Sequence, residues 1–382
     1  MSGREARVWK VLGLVALVSM SVGSVSYARA LATPGYATWN DKTSTWVREH
    51  GAGPLLDAYE NWRYATPPPD TRPTLPLPGR AAVAGGTATS IGTLPTLPTV
   101  ASMPAAMWTP GRTDDHGAPV AYTAVYQPDP AHRSAVAGVA VISGRATVAQ
   151  LVAGTAQPRA GDPGRASVSD GDRPSLVAVF NSGWKMSDIE GGYYADRHTV
   201  RELRNGQASA VIDDRGHLSV VEWTTDAEMD PHIVAVRQNL ALIVDHAATV
   251  PALTVNGSAQ WGSAENQLQY TERSALGIDA DGNIVYVAAS KVDLPTLARA
   301  LADAGAVTGM ELDIHSGMTA FNSWSADTAG VLTPTPLLPG VQSSPERYLA
   351  ADQRDFFSIT LAAPTPHQPW SATGEPHPPA PS

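Results

Sequence analysis

The sequence predicts an α+β domain dominated by strands, with a mixed sheet and one late βαβ unit. Three observations carry that expectation. Short apolar runs recur between Gly-, Asp- and Asn-rich breaks, as at residues 119–127, 137–143, 175–180, 240–244 and 356–362. Two pairs of runs flank tight-turn residues: 209–213 and 217–223 around Asp214-Arg215-Gly216, and 274–279 and 284–290 around Ala280-Asp281-Gly282-Asn283. Finally, Leu294, Leu297 and Leu301 have helical spacing, with Pro295 suited to a first turn and Gly305 to the end, before a strand at 309–314. Strand 284–290, this helix and strand 309–314 then make a βαβ crossover, which would be right-handed. Asp313 falls at the C-terminal end of its strand, where ligand sites on parallel strands favour lying.

The segments around this domain have different characters. Arg4, Arg7 and Lys10 precede an uncharged run over 11–28, on the border between a signal-peptide core and a spanning helix. The sequence divides into a signal or anchor (1–30), membrane-proximal helices (31–65), a Pro-rich linker (66–105), the main domain (106–365) and a disordered tail (366–382). The basic flank places everything after the run outside the cytoplasmic membrane, anchored by 11–28 or released by cleavage near Ala28-Arg29-Ala30. Leu55, Tyr59 and Trp62 make one apolar helical face, and Gly51 would cap the preceding helix. That pair suits the bilayer interface, or equally a hairpin packed on the main domain. Pro67-Pro68-Pro69 and the later Leu-Pro repeats favour extended spacing.

Composition narrows the function classes. A formal charge of -10 with 16% charged residues offers no basic block for phosphate backbones, so nucleic acid is not an expected partner. The chain has no Cys, which removes disulfides, thiolate metal sites and thiol nucleophiles. No P-loop, paired zinc histidines, Gly-x-Ser-x-Gly or dinucleotide fingerprint occurs, and no cofactor is called for.

Several clusters carry candidate chemistry. Asn181-Ser182-Gly183-Trp184-Lys185 follows a buried strand: its small residues permit close ligand approach, and Lys185 suits an anion, although ordinary turns use the same residues. Gly191-Gly192-Tyr193-Tyr194 suits either a sugar-contacting loop or packing. Arg273 would hold a phosphate bidentately or make a rim ion pair. Glu311, Asp313 and His315 share one face if their strand is regular, and offer general acid–base groups; they are too few to claim a metal. Asp279-Ala280-Asp281-Gly282 resembles the start of a calcium loop, but Ser290 stands where the closing Glu belongs, so a hairpin turn is expected.

Taken in order, these motifs resemble the phosphodiester glycosidase family over about residues 110–363. The resemblance rests on Phe180-Asn181-Ser182-Gly183-Trp184, Gly191-Gly192-Tyr193-Tyr194-Ala195-Asp196, Arg237-Gln238-Asn239-Leu240, Arg273-Ser274-Ala275-Leu276-Gly277 and Glu311-Leu312-Asp313. The layout is similar to the exported actinobacterial branch. Asn181 and Gly183 match the family's Asn-Gly-Gly-Phe turn, Arg273 and Gly277 its Arg-x-x-x-Gly strand, and Asp313 the Asp of its Leu-Asp-Gly-Gly-Gly-Ser loop. Ile314, His315 and Ser316 replace the glycines, and Gly317 stands where Ser is expected.

The resemblance implies hydrolysis of a sugar-1-phosphodiester in the cell envelope. Asp313 would be the carboxylate at the glycosyl centre, with Arg273 and Lys185 holding phosphate and Asn181 and Gly183 lining the site. His315 adds an acid–base candidate, and Glu311 and Asp188 are candidates for a second carboxylate. The alternatives are a silent module that binds a glycan or phosphoglycan, or a membrane-anchored scaffold for a protein partner. Asn181, Arg273 and Asp313 are expected to face one cleft. The topology is tested by a reporter fused after Ala65: a periplasm-active reporter should be active there, and activity confined to a cytoplasmic reporter overturns the topology.

Overall fold

The computed structural model describes residues 21–33, 38–73, 108–158, 166–224, 229–256, 260–263, 265–327, 329–338, 340 and 344–363. Residues 1–20, most of the Pro-rich linker and the whole tail lie outside these. Among the described residues no helix is long and apolar enough to cross a membrane. Among the described residues helix α1 includes 21–32, while α2 spans Trp39–Glu49 and α3 Gly53–Arg63. Thr38 caps α2 by accepting the Asp41 amide, and Gly51 follows its end with φ +81, as its lack of a side chain allows.

The strands follow in chain order. The first five are β1 (Thr109–Pro110), β2 (Ala121–Tyr126), β3 (Val136–Ile142), β4 (Thr147–Val152) and β5 (Leu176–Asn181). Then come β6 (Tyr193–Ala195), β7 (His198–Arg201), β8 (Ala208–Asp213), β9 (Leu218–Glu222) and β10 (Ile233–Gln238). Next are β11 (Leu242–Asp245), β12 (Ala248–Thr249), β13 (Thr271–Asp279) and β14 (Ile284–Val292), then helix α4 (Leu294–Asp303) and β15 (Ala306–Ile314). β16 (Phe321–Ala326), β17 (Leu332–Pro336) and β18 (Phe356–Leu361) complete the set.

They form an eight-stranded sheet, β1-β2-β3-β14-β13-β15-β11-β12, and two five-stranded sheets, β7-β6-β10-β8-β9 and β17-β16-β5-β18-β4. The expected α+β, strand-dominated class holds, and the two expected hairpins are β8–β9 and β13–β14. At the second, Asp279 Oδ1 accepts the amides of Asp281 and Asn283, so its carboxylate builds the turn. All ladders between the strands are antiparallel. The βαβ unit is nevertheless present in split form. β14 and β15 each run antiparallel to β13, and so parallel to each other, while α4 crosses over the intruding strand.

Period-two alternation explains the layering. Val139, Val141, Val285, Val287 and Ala275 face α4, where they meet Leu294, Leu297, Ala298 and Leu301. Ala140, Ile142, Tyr286, Leu276 and Met310 face the other way, toward Phe180, Phe321 and Phe357 of the β5 sheet and Ala210 of β8. Buried on both faces, β3 is a continuous apolar run. Gly277 and Gly309 lie opposite each other beneath the helix, and a Cβ on Gly309 would sit 2.3 Å from Leu301 Cδ2. Asp293 starts α4 by accepting the Thr296 amide, and Gly305, at φ +98, ends it. Some strands escaped the pattern reading: β17 carries two prolines, tolerable because it is an edge strand.

α4 holds β15, and therefore Asp313, against the sheet. Leu301→Ala, which empties a fully buried position under this helix, should cost about 2–5 kcal/mol in chemical denaturation.

Candidate functional site

The candidate site forms where β5, β13 and β15 end together. Asn181 closes β5 and is buried. Its Oδ1 accepts from the Tyr286 hydroxyl (2.9 Å) and the Ala320 amide (3.1 Å), and its Nδ2 donates to Ser274 Oγ (3.0 Å). Ser274 Oγ donates to the Asp313 carbonyl (3.1 Å) and accepts the Asp313 amide (3.3 Å). Asn181 and Asp313 are thus joined through Ser274, and Asn181, its Oδ1 filled, is buried away from the cleft. It positions the site and does not line it.

The turn after Asn181 is fixed by Asn239. Asn239 accepts the Trp184 amide (3.0 Å) and donates to the Ser182 carbonyl (3.1 Å). A Cβ on Gly183 would lie 2.1 Å from Asn239 Oδ1, which is why glycine stands there. Asn239 is itself held beside Arg237, whose guanidinium pairs with Asp355 at 2.8 Å with both groups out of solvent. The Gly191-Gly192 pair serves packing as well: Gly192 donates to Gln238 Oε1, and Tyr193 is fully buried. The sugar-contacting reading of this segment is therefore replaced by a structural one.

Arg273 and Glu311 are also corrected. Their ion pair measures 2.5 Å and is wholly buried. Arg273 also donates to the carbonyls of Val292, Asn266 and Gln269, so four of its five N–H donors are committed in the interior and the buried group is not placed to clamp a phosphate. Burial pushes the Glu311 carboxyl up, and the Arg273 charge opposes that push. The expected common face of Glu311 and Asp313 fails for a specific reason. The β13–β15 register runs from Arg273↔Ile314 to Ala275↔Glu311, so β15 has one extra residue there. This bulge turns Asp313 away from the Glu311 side.

Asp313 pairs with Arg354, Oδ2 to Nη2 at 2.8 Å, and its Oδ1 accepts the Ile314 amide at 2.8 Å. Arg354 also donates to the Gly183 carbonyl, which ties the β5 turn to the carboxylate. Burial raises the Asp313 pKa from 3.8 to about 6, against the opposing Arg354 charge. Asp313 lines a cleft of about 240 Å³ together with Lys185, Asp188, Trp184 and His315. Helices α2 and α3 form its other wall. The second of the two expectations for this helix pair, packing on the main domain, is what the structure shows.

His315 departs from its expected role. Its Nε2 lies 2.8 Å from Gln269 Oε1, and its ring stacks on Tyr64 from the end of α3. Burial, then the charges of Arg273, Arg48 and Lys185, lower its pKa to about 3. With the helices in place it is neutral near pH 7 and lies outside the useful range for acid–base work. Its φ is +75, a left-handed conformation that costs a side-chain-bearing residue about 1–2 kcal/mol. The backbone here keeps a shape that glycine adopts freely.

Sequence reasoning missed Arg354 and Arg347. Arg347 is buried against Asp352 and donates to the Gly317 carbonyl, steadying the loop after Asp313. The signal for Arg354 was a charged pair, Arg354-Asp355, set directly before the apolar β18.

Residues 175–313 match the phosphodiester glycosidase family. The match includes Asn181, Gly183, Lys185, Arg273, Glu311 and Asp313, and ends before His315 and Arg354. No curated protein matches the chain. Similar solved structures include the catalytic domain of zebrafish N-acetylglucosamine-1-phosphodiester alpha-N-acetylglucosaminidase auto-inhibited by pro-peptide. It is 16% identical, with 67% of this chain and 88% of that chain covered and a TM-score of 0.44. A hypothetical protein from Synechocystis is 12% identical, with 68% and 64% covered and a TM-score of 0.40.

The structural assignment of Glu311 is testable. Glu311→Ala leaves Arg273 charged and unmatched in the interior, so denaturation should show a loss of about 3–5 kcal/mol. A variant as stable as the parent would return Glu311 to the catalytic candidates.

Proposed function

We propose that this protein hydrolyses a sugar-1-phosphodiester outside the cytoplasm, with Asp313 as the carboxylate at the glycosyl centre. One observation carries the reading. Asp313 is a buried carboxylate fixed at both oxygens, and it opens on a cleft that also holds Lys185. Pairing with Arg354 and the Ile314 amide orients the carboxylate before substrate arrives, so little reorganisation is needed as positive charge develops at the anomeric carbon. Lys185 supplies the charge that meets the phosphodiester. Asp188 is the further carboxylate on the main-domain wall and serves as the second group that glycoside cleavage usually requires. Arg273 has no part in binding here, and Arg354 serves to orient Asp313.

The location belongs to the same proposal. The basic flank before the 11–28 run places the domain in the cell envelope, attached to the cytoplasmic membrane or released from it. Trp39, Leu55 and Trp62 are exposed on the helix pair and suit contact with the membrane interface. The natural substrate is then an envelope glycan or phosphoglycan.

Asp313→Asn keeps the shape and removes the charge. Release of free sugar from a sugar-1-phosphodiester should fall by at least about a hundredfold, mostly in kcat, while the fold is retained. Binding of the substrate by a variant and parent that are equally without turnover would favour the silent glycan-binding module. pH supplies an independent check. The folded-state pKa of Asp313 is raised above 3.8, so its contribution to stability is present below about pH 4 and is lost as pH rises through about 6. The parent's stability should lose that contribution across this window, and Asp313→Asn should lack this component. Because the carboxylate is the working form, kcat/KM should rise as pH passes about 6.

A further inference from the structure

A second cavity, of about 680 Å³, shares no lining residue with the Asp313 cleft. Its size is ordinary for a ligand site, about 300–1,000 Å³. One wall is β4: five consecutive residues, Ala149 to Ala153, line it. A cavity over one face of a sheet meets only alternate residues of a strand. Contact with consecutive residues sets this cavity along the strand's edge. β4 is the last strand of its sheet and pairs on its other side with β18. The cavity therefore occupies the place of a next strand.

The backbone there is free to pair. The Ala149 amide points away from β18 and donates to the Gly216 carbonyl at 2.9 Å. β4 and β18 keep one register, so Leu151, two residues on, presents its N–H and C=O to the same side. Among the described residues neither group has a partner there. The opposite wall is a cross-strand row of the β7-β6-β10-β8-β9 sheet, in which Ala235 stands beside both Ala195 and Ile212. The two alanines in that row leave room for a backbone.

The two sides of the groove differ in chemistry. On the Leu151 side it is apolar, since Ile212, Ala235 and Leu151 itself pack with the main core. On the Gln150 side it is polar. Ser358 stands opposite Gln150 and is 2% exposed, and its Oγ has no partner among the described residues. Val168, which packs with Phe356 on this same face, leads into Asp172, and Asp196 adds a second carboxylate. No Lys or Arg is among the described lining residues. Arg173, beside Asp172, turns instead to Asp170 and the Leu349 carbonyl. An anion finds no counter-charge in this groove, whereas a cation finds two.

We infer that the edge of β4 is a docking groove for an extended segment of a partner protein, which joins the sheet as a strand and alternates apolar with basic side chains. An exposed strand edge is a template for such pairing. Main-chain bonds to Leu151 supply affinity, and the alternating sides supply specificity. An apolar side chain packs on Ile212 and Ala235, and its basic neighbour reaches Ser358 Oγ and Asp172. Nothing in this groove depends on the phosphodiester chemistry proposed above.

The test uses the full chain and the blocked peptide acetyl-Gly-Val-Lys-Val-Lys-Val-Gly-amide. At saturation the peptide should slow hydrogen exchange of the Leu151 amide at least about tenfold and leave the amides of β15 unchanged. Replacing both lysines of the peptide by glutamate should weaken binding at least about tenfold, and this arm leaves the protein untouched. Leu151→Pro, which an edge strand tolerates where the N–H points outward, should abolish binding, and Asp172→Asn should weaken it. No binding up to about millimolar peptide, equal affinity for the lysine and glutamate peptides, or binding without protection of Leu151 overturns the inference. So does an edge already taken: a dimer of the parent that Leu151→Pro dissociates, or a Leu151 amide protected in the parent and freed on removal of residues 364–382.

Discussion

The site depends on one buried hydrogen-bond junction. Asn181 ends β5 in one sheet, and Ser274 and Asp313 belong to neighbouring strands of another. The amide of Asn181 and the hydroxyl of Ser274 tie these strand ends together, with Tyr286 and the Ala320 amide completing the capacity of Asn181 Oδ1. An amide is suited to this because it donates and accepts at once. Removing it would strand several buried polar groups, each costing about 1–3 kcal/mol.

Around it, the cations fall into two kinds. Arg237, Arg273 and Arg347 each meet a buried carboxylate, Asp355, Glu311 and Asp352 respectively, and give their remaining donors largely to carbonyls. They fix loops and strand ends. Lys185 and Arg354 differ because their carboxylate partners, Asp41 and Asp313, line the cleft. Burial alone does not separate the two kinds, since Arg354 is also buried. The partner decides: these two cations hold carboxylates that face the cavity, whereas the other three hold carboxylates of the interior.

The helix pair modifies the site's electrostatics as well as its access. With α2 and α3 in place, Asp41 contributes to the raised pKa of Asp313, while Arg48 contributes to the lowered pKa of His315. The strained backbone at His315 is held in this state by the Gln269 contact and the Tyr64 stack.

Much of the architecture was legible in the sequence because it is written in local periodicity. The turns at Gly216 and Gly282, the α4 spacing and the caps at Gly51 and Gly305 follow from backbone conformations that few residues tolerate. The motifs at Asn181, Arg273 and Asp313 could be located by the same means, and their gathering at adjoining strand ends is compatible with the antiparallel order. Their roles could not be read. Whether Glu311 and Asp313 share a face depends on a one-residue bulge in β15, and a bulge leaves no mark in residue type. Arg354 and Asp41 lie far from Asp313 in the chain and meet it, or its neighbour Lys185, only through tertiary packing. The sequence by itself determined the strands, turns and the carboxylate at a strand end, since these depend on residues a few positions apart. Tertiary structure alone decided which charges were paired in the interior and which faced the cleft, because electrostatic partnership depends on distance in space.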